Sequence, residues 1–456
     1  MAMLRTRPAL ALALLGGVLW AEPALASGFS TARFGGEHGN PVTTNPTAIY
    51  YNPAGIAESQ GIHVFLDGSM AFRSATWTHT PVPTDDVSVP GANDGDATLF
   101  NVVAAPMIGA SAKLGDLALG GGFYVPFGGS SSWSDNDAFE NDPRLPGAVD
   151  GVQRWHSISG SIQSMYFTLA AAYDIKSIGL SLGLSGNLIS TSVSTLRART
   201  ADGSNSIPGE GRSLTEVSGL QGSIGVGAMY EAIPEKLWIG ASYQAAPNFT
   251  GKVQLDGFLR NNLTGTPEPD IDVSLYQGLP DVIRLGARFA VRKDLELRLH
   301  ADYTRWSLMD KQCLAAKDQP CEVDEDGSAA EGSAPILNLQ RDWNDGFGVR
   351  GGLSYWPAEP TELFAGIGYD SNAIPDETLD PAITDFHDTS VALGGRFAIG
   401  ERLHLAASYT HFFYIQRDTT GVSTVDEQQP PSRSPDAGGV YTQTVGVLNV
   451  NLDVNF

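Results

Sequence analysis

The stretch VLNVNLDVNF, Val447 to Phe456, alternates strictly. Leu448, Val450, Leu452, Val454 and Phe456 are apolar, and Asn449, Asn451, Asp453 and Asn455 stand between them. A period of two puts the apolar set on one face of a β-strand and the polar set on the other. Two settings satisfy this pattern. A soluble sheet turns the apolar face inward; a membrane barrel turns it to lipid and the polar face to a lumen. The stretch alone does not separate them, so the rest of the chain must.

Residues 1–26 have the order of a secretory signal: Arg5 and Arg7, an apolar run from Ala9 to Trp20, then Ala24-Leu25-Ala26, with cleavage predicted after Ala26. The run is too short to span a bilayer as a helix, and beyond it no 18 consecutive apolar residues occur. Glycine is abundant, at 52 of 456 residues, and long helical patterns are missing, which points to an exported, nearly all-β chain. The formal charge is −23, and loss of Arg5, Arg7 and Glu22 with the leader leaves −24. Nucleic acid is a poor partner for such a chain. The acids cluster in polar stretches such as Thr84–Asp96, Ser134–Asp142 and Glu322–Glu331, where charge favours solubility.

Alternation bounded by turn residues predicts fourteen strands, near 62–73, 98–114, 117–129, 153–175, 178–199, 214–232, 236–256, 273–292, 295–309, 344–356, 361–371, 387–399, 402–416 and 441–456. Their connections alternate long and short. The short ones are Gly115-Asp116, Lys176-Ser177, Ile233-Pro234-Glu235, Lys293-Asp294, Pro357–Pro360 and Gly400-Glu401. The long ones are 74–97, 130–152, 200–213, 257–272, 310–343, 372–386 and 417–440. Short turns at one end and long loops at the other are the pattern of an outer-membrane barrel. The strand near 295–309 agrees: Leu295, Leu297, Leu299, Ala301 and Tyr303 share one face, Glu296, Arg298, His300, Asp302 and Thr304 the other. A mid-membrane Arg or Lys facing lipid costs about 2–4 kcal/mol, so the charged face belongs to the lumen. Trp306, Tyr355, Trp356, Tyr369, Tyr409, Phe412, Phe413 and Tyr414 gather toward strand ends, as interfacial girdles or as a lining of the outer mouth. VLNVNLDVNF is then the closing strand.

Residues 27–61 do not fit the strand pattern; a lumenal plug or a periplasmic tail accounts for them, and a wide barrel favours the plug. Here Ser27-Gly28-Phe29, Gly35-Gly36 and above all Asn52-Pro53-Ala54 resemble the FadL family of outer-membrane transporters for long-chain fatty acids and, in its TodX-like branch, aromatic hydrocarbons. Tyr124-Val125-Pro126-Phe127-Gly128, Leu279-Pro280-Asp281, Asp302-Tyr303-Thr304-x-Trp306-Ser307 and Ala407-Ser408-Tyr409-Thr410 extend the resemblance over the mature chain. It implies a 14-stranded antiparallel transmembrane barrel (62–456) with an N-terminal hatch (27–61). It also implies ligand capture at the outer loops, a lumenal pocket reached by Phe29, and sideways release beside a kinked third strand. Gly120-Gly121-Gly122 or Pro126-Phe127-Gly128 would supply the kink, because Gly and Pro weaken ladder pairing. The terminal Phe456 resembles the signal read by the bacterial barrel assembly machinery.

Arg284, Arg288, Arg298, Arg350 and Arg396 share the non-lipid parity on neighbouring strands. They form either a basic wall for a fatty-acid carboxylate or ion pairs with Glu296, Asp302, Glu37 and Glu58. Gly179-Leu180-Ser181-Leu182-Gly183 matches GxSxG only formally, since it lies within an alternating strand rather than at a strand–turn–helix elbow. His300, His404 and His411 lack metal-ligand spacing and read as lumenal fillers. Asp94/Asp96, Asp135/Asp137 and Asp324/Glu325/Asp326 complete no calcium loop. Cys313 and Cys321, the only cysteines, predict one local disulfide in an oxidising compartment. The expected molecule is a monomeric, cofactor-free, non-enzymatic barrel in outer-membrane lipid, taking up hydrophobic small molecules passively, long-chain fatty acids first. A porin-like channel or structural barrel is the alternative, and an outer-membrane hydrolase stands third.

Overall fold

The computed structural model describes residues 33–263, 268–400 and 402–456. The expected leader (1–26) and Phe29 lie outside them. In the described residues nineteen hydrogen-bonded segments form one antiparallel sheet. They make fourteen barrel strands: β1 Ile62–His79, β2 Gly95–Leu114, β3 Leu117–Ser132, β4 Ser159–Ile175, β5 Leu180–Arg199 and β6 Gly211–Ile233. β7 (Leu237–Gln244, Lys252–Asn262), β8 (Ile271–Gly278, Val282–Arg292), β9 (Leu295–Thr304, Lys311–Ala316) and β10 (Pro335–Gln340, Gly346–Ala358) are each interrupted once. β11 Thr361–Asp370, β12 Asp388–Ile399, β13 Leu403–Tyr414 and β14 Val440–Asn455 complete the circuit, with Arg417–Asp418 a short addition beside β14. β14 pairs with β1 from His63–Asn455 to Thr78–Val440, which closes the barrel.

The alternation sorts side chains as physics requires. Leu297 and Leu299 are 44% and 56% exposed, whereas Arg298 and His300 between and beside them are 7% and 4% exposed. Leu448 and Val450 likewise face out while Asn449 and Asn451 are buried. A soluble monomer does not leave such a continuous apolar belt in water.

Two strand edges move. β1 runs on to His79 rather than ending near Arg73, and β4 starts at Ser159 because Val152–Trp155 is a short 3-10 helix. The interruptions in β7–β10 went unforeseen. They lie side by side and are laced together: Leu279 N–H bonds to Gly251 O, Arg305 N–H to Asp281 O, and Trp343 N–H to Met309 O. Arg305 also grips the Asp281 carboxylate with both Nε and Nη2 at 2.9 Å. Past this belt the strands continue as an apolar extension, Leu255, Leu259, Val273, Leu275, Leu314 and Leu337 all packing inward. Cys313, on the strand extension, is disulfide-bonded there to Cys321 in the loop that follows.

Residues 33–61 stand outside the sheet and inside the barrel. Pro41 lies against Gly240 and Gly286, Ile49 against Gly109 and Gly120, Ala54 against Gly183, Glu37 against Gly366, and Gly36 against Ser408 and Asn449. Contacts with strands on every side place the segment in the lumen. Asn52 anchors it: its Oδ1 accepts from Ala54 N–H, and its Nδ2 donates to Pro41 O at 2.7 Å and to Ala228 O of β6 at 3.0 Å. Asn449 Nδ2 donates to Asp67, whose Oδ2 accepts from Gly35 N–H at 2.7 Å. At the long-loop end Arg154, fully buried, ties three loops through Glu210, Ala92 O and Asn93.

Candidate functional site

β3 is regular where its glycines are. Gly120, Gly121 and Gly122 pair with Ser111, Ala110 and Gly109 of β2 and with Ala170, Leu169 and Thr168 of β4. They are not the kink. Their bare faces instead admit the lumenal segment: a Cβ on Gly120 would lie 3.2 Å from Ile49 Cδ1 and 3.3 Å from Ile56 Cδ1.

The break falls at Val125-Pro126. Pairing with β2 stops at Tyr124–Met107, and pairing with β4 shifts register between Tyr124 and Phe127. Proline has no N–H to give the ladder, so the register cannot run through it. Farther out the strands meet again: Asn101 Nδ2 donates to Ser130 O at 3.1 Å, Arg73 Nη1 donates to the same carbonyl, and Leu99 bridges Trp133. Between these contacts lies a window in the wall about 20 Å long, six residues at strand rise. An apolar cluster seals it from inside: Val103, Val125, Phe412, Val445 and Val447 are buried together, with Phe123, Met165 and Tyr414 packed on them.

A file of rings leads past the window. Centroid separations are 5.3 Å for Trp343–Trp306, 5.8 Å for Trp306–Phe127, 6.2 Å for Phe127–Tyr166 and 5.5 Å for Tyr166–Tyr124. Tyr124 then meets Tyr50 at 5.2 Å and Phe34 at 5.8 Å, both in the lumenal segment. A cavity of about 80 Å³ adjoins this file, lined by Trp306, Trp343, Phe386, Phe412 and Asp388, with Arg33 among its charged groups. The Arg33 guanidinium lies 5.0 Å from the Phe412 ring. A second cavity of similar size borders Gly129–Ser131 on the other flank and shares Ile383 and Thr384 with the first. Asp385 projects from the loop before β12 into the first cavity; burial raises its carboxyl, and the N–H groups of Ala373 and Ile374 oppose that.

Trp306 and Phe412 therefore face the lumen, not an interfacial girdle, while Tyr355, Tyr409 and Phe413 are exposed outside. His411 also departs from expectation: it lies on the outer face beside Tyr409 and Phe413. His300 is a buried lumenal residue, and His404 is half-buried. No group of metal-ligating side chains occurs among the described residues. Ser181 donates its hydroxyl proton to Glu58 at 2.6 Å, which accounts for the formal GxSxG match.

The arginines are brought together, chiefly as ion pairs. Arg350 bonds Asp302 at 2.9 Å and Asp370 at 2.6 Å, Glu296 lies between Arg298 at 3.2 Å and Arg288 at 3.8 Å, and Arg396 faces Glu362 at 3.5 Å. Arg284 differs: it lies 4.4 Å over the Tyr50 ring and has no carboxylate partner among the described residues. Sequence reasoning found Pro126 but missed Tyr50, Tyr166, Trp343 and Asp388. An inward ring in a strand carries the same parity signal as any other inward residue.

A family model described as outer membrane protein transport protein (OMPP1/FadL/TodX) matches residues 17–446. Among solved structures, a Pseudomonas aeruginosa FadL homologue superposes with a TM-score of 0.74 at 18% identity, covering 95% of this chain and all of that one. The Ralstonia pickettii toluene transporter TbuX gives 0.64 at 16% identity, over 94% and 98% of the two chains. The Pseudomonas putida toluene transporter TodX gives 0.64 at 14%, over 94% and 99%. At these identities the likeness is one of fold.

Proposed function

The chain belongs to the outer membrane protein transport family (OMPP1/FadL/TodX), and from that premise we propose that it passes hydrophobic small molecules inward through the β2–β3 window. A ligand enters between the long loops, rests among Trp306, Trp343 and Phe412, and leaves sideways when the Val103–Val125–Phe412 seal parts. Residues 27–61 serve as the hatch that keeps the lumen closed to water, and Phe29 belongs to that segment. The chain reaches the membrane after cleavage behind Ala26, works as a monomer in outer-membrane lipid, and offers Phe456 to the assembly machinery. The observation that carries this reading is that Phe412 and Tyr414 line the aromatic cavity and also belong to the apolar cluster behind the break between β2 and β3. Apolar ligands gain there about 25 cal/mol for each Å² removed from water, with no covalent step and no cofactor.

Neutral ligands fit the lumen better than the fatty acids expected first, because four of the five wall arginines already face carboxylates. Long-chain fatty acids remain the second reading on one observation: Arg284, beside the ring file, is available to a carboxylate. A porin-like channel has less support, since residues 33–61 cross the lumen. The test is titration of the purified barrel with toluene and with oleate, in wild type and Arg284→Ala. Saturable toluene binding insensitive to the substitution is the expected result. Oleate binding that falls at least tenfold in the variant puts the fatty acid first, and no saturable binding of either overturns the proposal.

A further inference from the structure

Asp388 opens β12 at the rim of the first cavity and is 7% exposed. Its Oδ1 makes no hydrogen bond among the described residues. The neighbouring acids are satisfied. Asp370, directly across on β11, takes Arg350 at 2.6 Å and Arg33 at 3.1 Å; Asp302 takes Arg350; Asp385 takes two backbone N–H groups. On the other side Asp388 pairs in register with Tyr414 of β13. One carboxyl oxygen is thus left over, buried, on a residue that lines the cavity, and buried polar groups without partners are rare because each forfeits its hydration.

We propose that this cavity is a specificity site for aromatic molecules bearing a hydroxyl or amino donor, with Asp388 as the acceptor. The inference rests on the uptake reading above and narrows it. The rings of Trp306, Trp343, Phe386 and Phe412 offer faces and edges to a ligand ring. A plain hydrocarbon fills the space but leaves Asp388 without a partner, whereas a phenol or an aniline supplies the missing proton donor. A carboxylate fares worst, because Arg33, the one cation of the lining, is already bonded to Asp370, and the unpartnered Asp388 repels an anion. A site built around a buried hydrogen-bonding group rejects the analogue lacking that bond far more strongly than it grades apolar size.

The experiment is calorimetric titration of the full-length barrel in detergent with phenol, toluene and benzoate, in wild type, Asp388→Leu and Asp388→Asn. Wild type should bind phenol at least about tenfold more tightly than toluene, with benzoate weakest. Asp388→Leu should bring phenol to the level of toluene, a selective loss of preference that a merely structural role would not produce. If Asp388→Leu fails to fold, Asp388→Asn decides: it keeps an acceptor and loses a charge, so benzoate should tighten relative to phenol. Equal phenol and toluene affinity in wild type overturns the inference, as does a preference that survives Asp388→Leu or an unchanged phenol-to-benzoate ratio in Asp388→Asn. Toluene binding without a phenol preference overturns this inference alone; no binding of any probe overturns the uptake reading with it.

Discussion

Along β9–β12 the inner wall is a lattice of charge: Glu296 between two arginines, Arg350 between two aspartates, and Glu362 joined to His38 at 2.7 Å and facing Arg396. Along β2–β3 the inner wall is aliphatic and aromatic, and the backbone ladder itself is missing for several residues. Both regions come from the same alternating strands, and their outer faces are equally apolar. The difference is in what holds the lumenal face. Charged pairs with fixed geometry resist rearrangement, because removing either member leaves the other buried and alone. Apolar side chains with no directional bonds can part and close at the cost of contact area alone. On the proposed route the charged arc would be the rigid one and the β2–β3 arc the yielding one.

The strongest challenge to that division is to make the yielding arc rigid. Ala104→Cys with Gly128→Cys, joined across the window by a short bismaleimide, should reduce uptake of radiolabelled toluene to that of cells lacking the protein. Uptake that survives the bridge would place the exit elsewhere. The next test works on the rigid arc. Arg350→Ala strands Asp302, leaves Asp370 with Arg33 alone, and should destabilise the barrel by about 3–5 kcal/mol in urea unfolding, while toluene affinity changes less than twofold. Intact stability with weakened ligand binding would turn the lattice into a ligand site and break the comparison. A smaller effect is expected at the junction of wall and lumenal segment: Gly120→Val crowds Ile49 and Ile56 and should cost about 1–3 kcal/mol. Proteolysis within residues 33–61 should accelerate in step, and its absence would mean that the wall gives way instead.

The wall was legible because alternation and loop length are local. The Asn449/Asn451 face and the Pro126 break could be read from a single strand. The belt across β7–β10 could not, since Leu279-Pro280-Asp281 looks like the start of a strand until Arg305 and Gly251 are seen to bond across it. The arginine wall was found by parity, but parity says only which face a side chain takes. Whether Arg350 meets a ligand or Asp302 is settled by neighbours distant in sequence. Gly120–Gly122 illustrate the same limit: glycine in a strand signals either a weak ladder or a close approach, and only the position of Ile49 decides for the second.

The window is bounded by the Tyr124–Met107 pair at one end and by the Ser130 contacts and Leu99–Trp133 bridge at the other. Its length is therefore fixed by the chain, and its width is limited by strands held on their far sides by the ladder to β1 and by the ladder to β4, which is interrupted only at Val125–Pro126. Such an aperture measures girth and ignores reach. On the proposed route a slender molecule of any length would thread it end-on. If cargo leaves by that route, a single proline sets the proportions the wall admits.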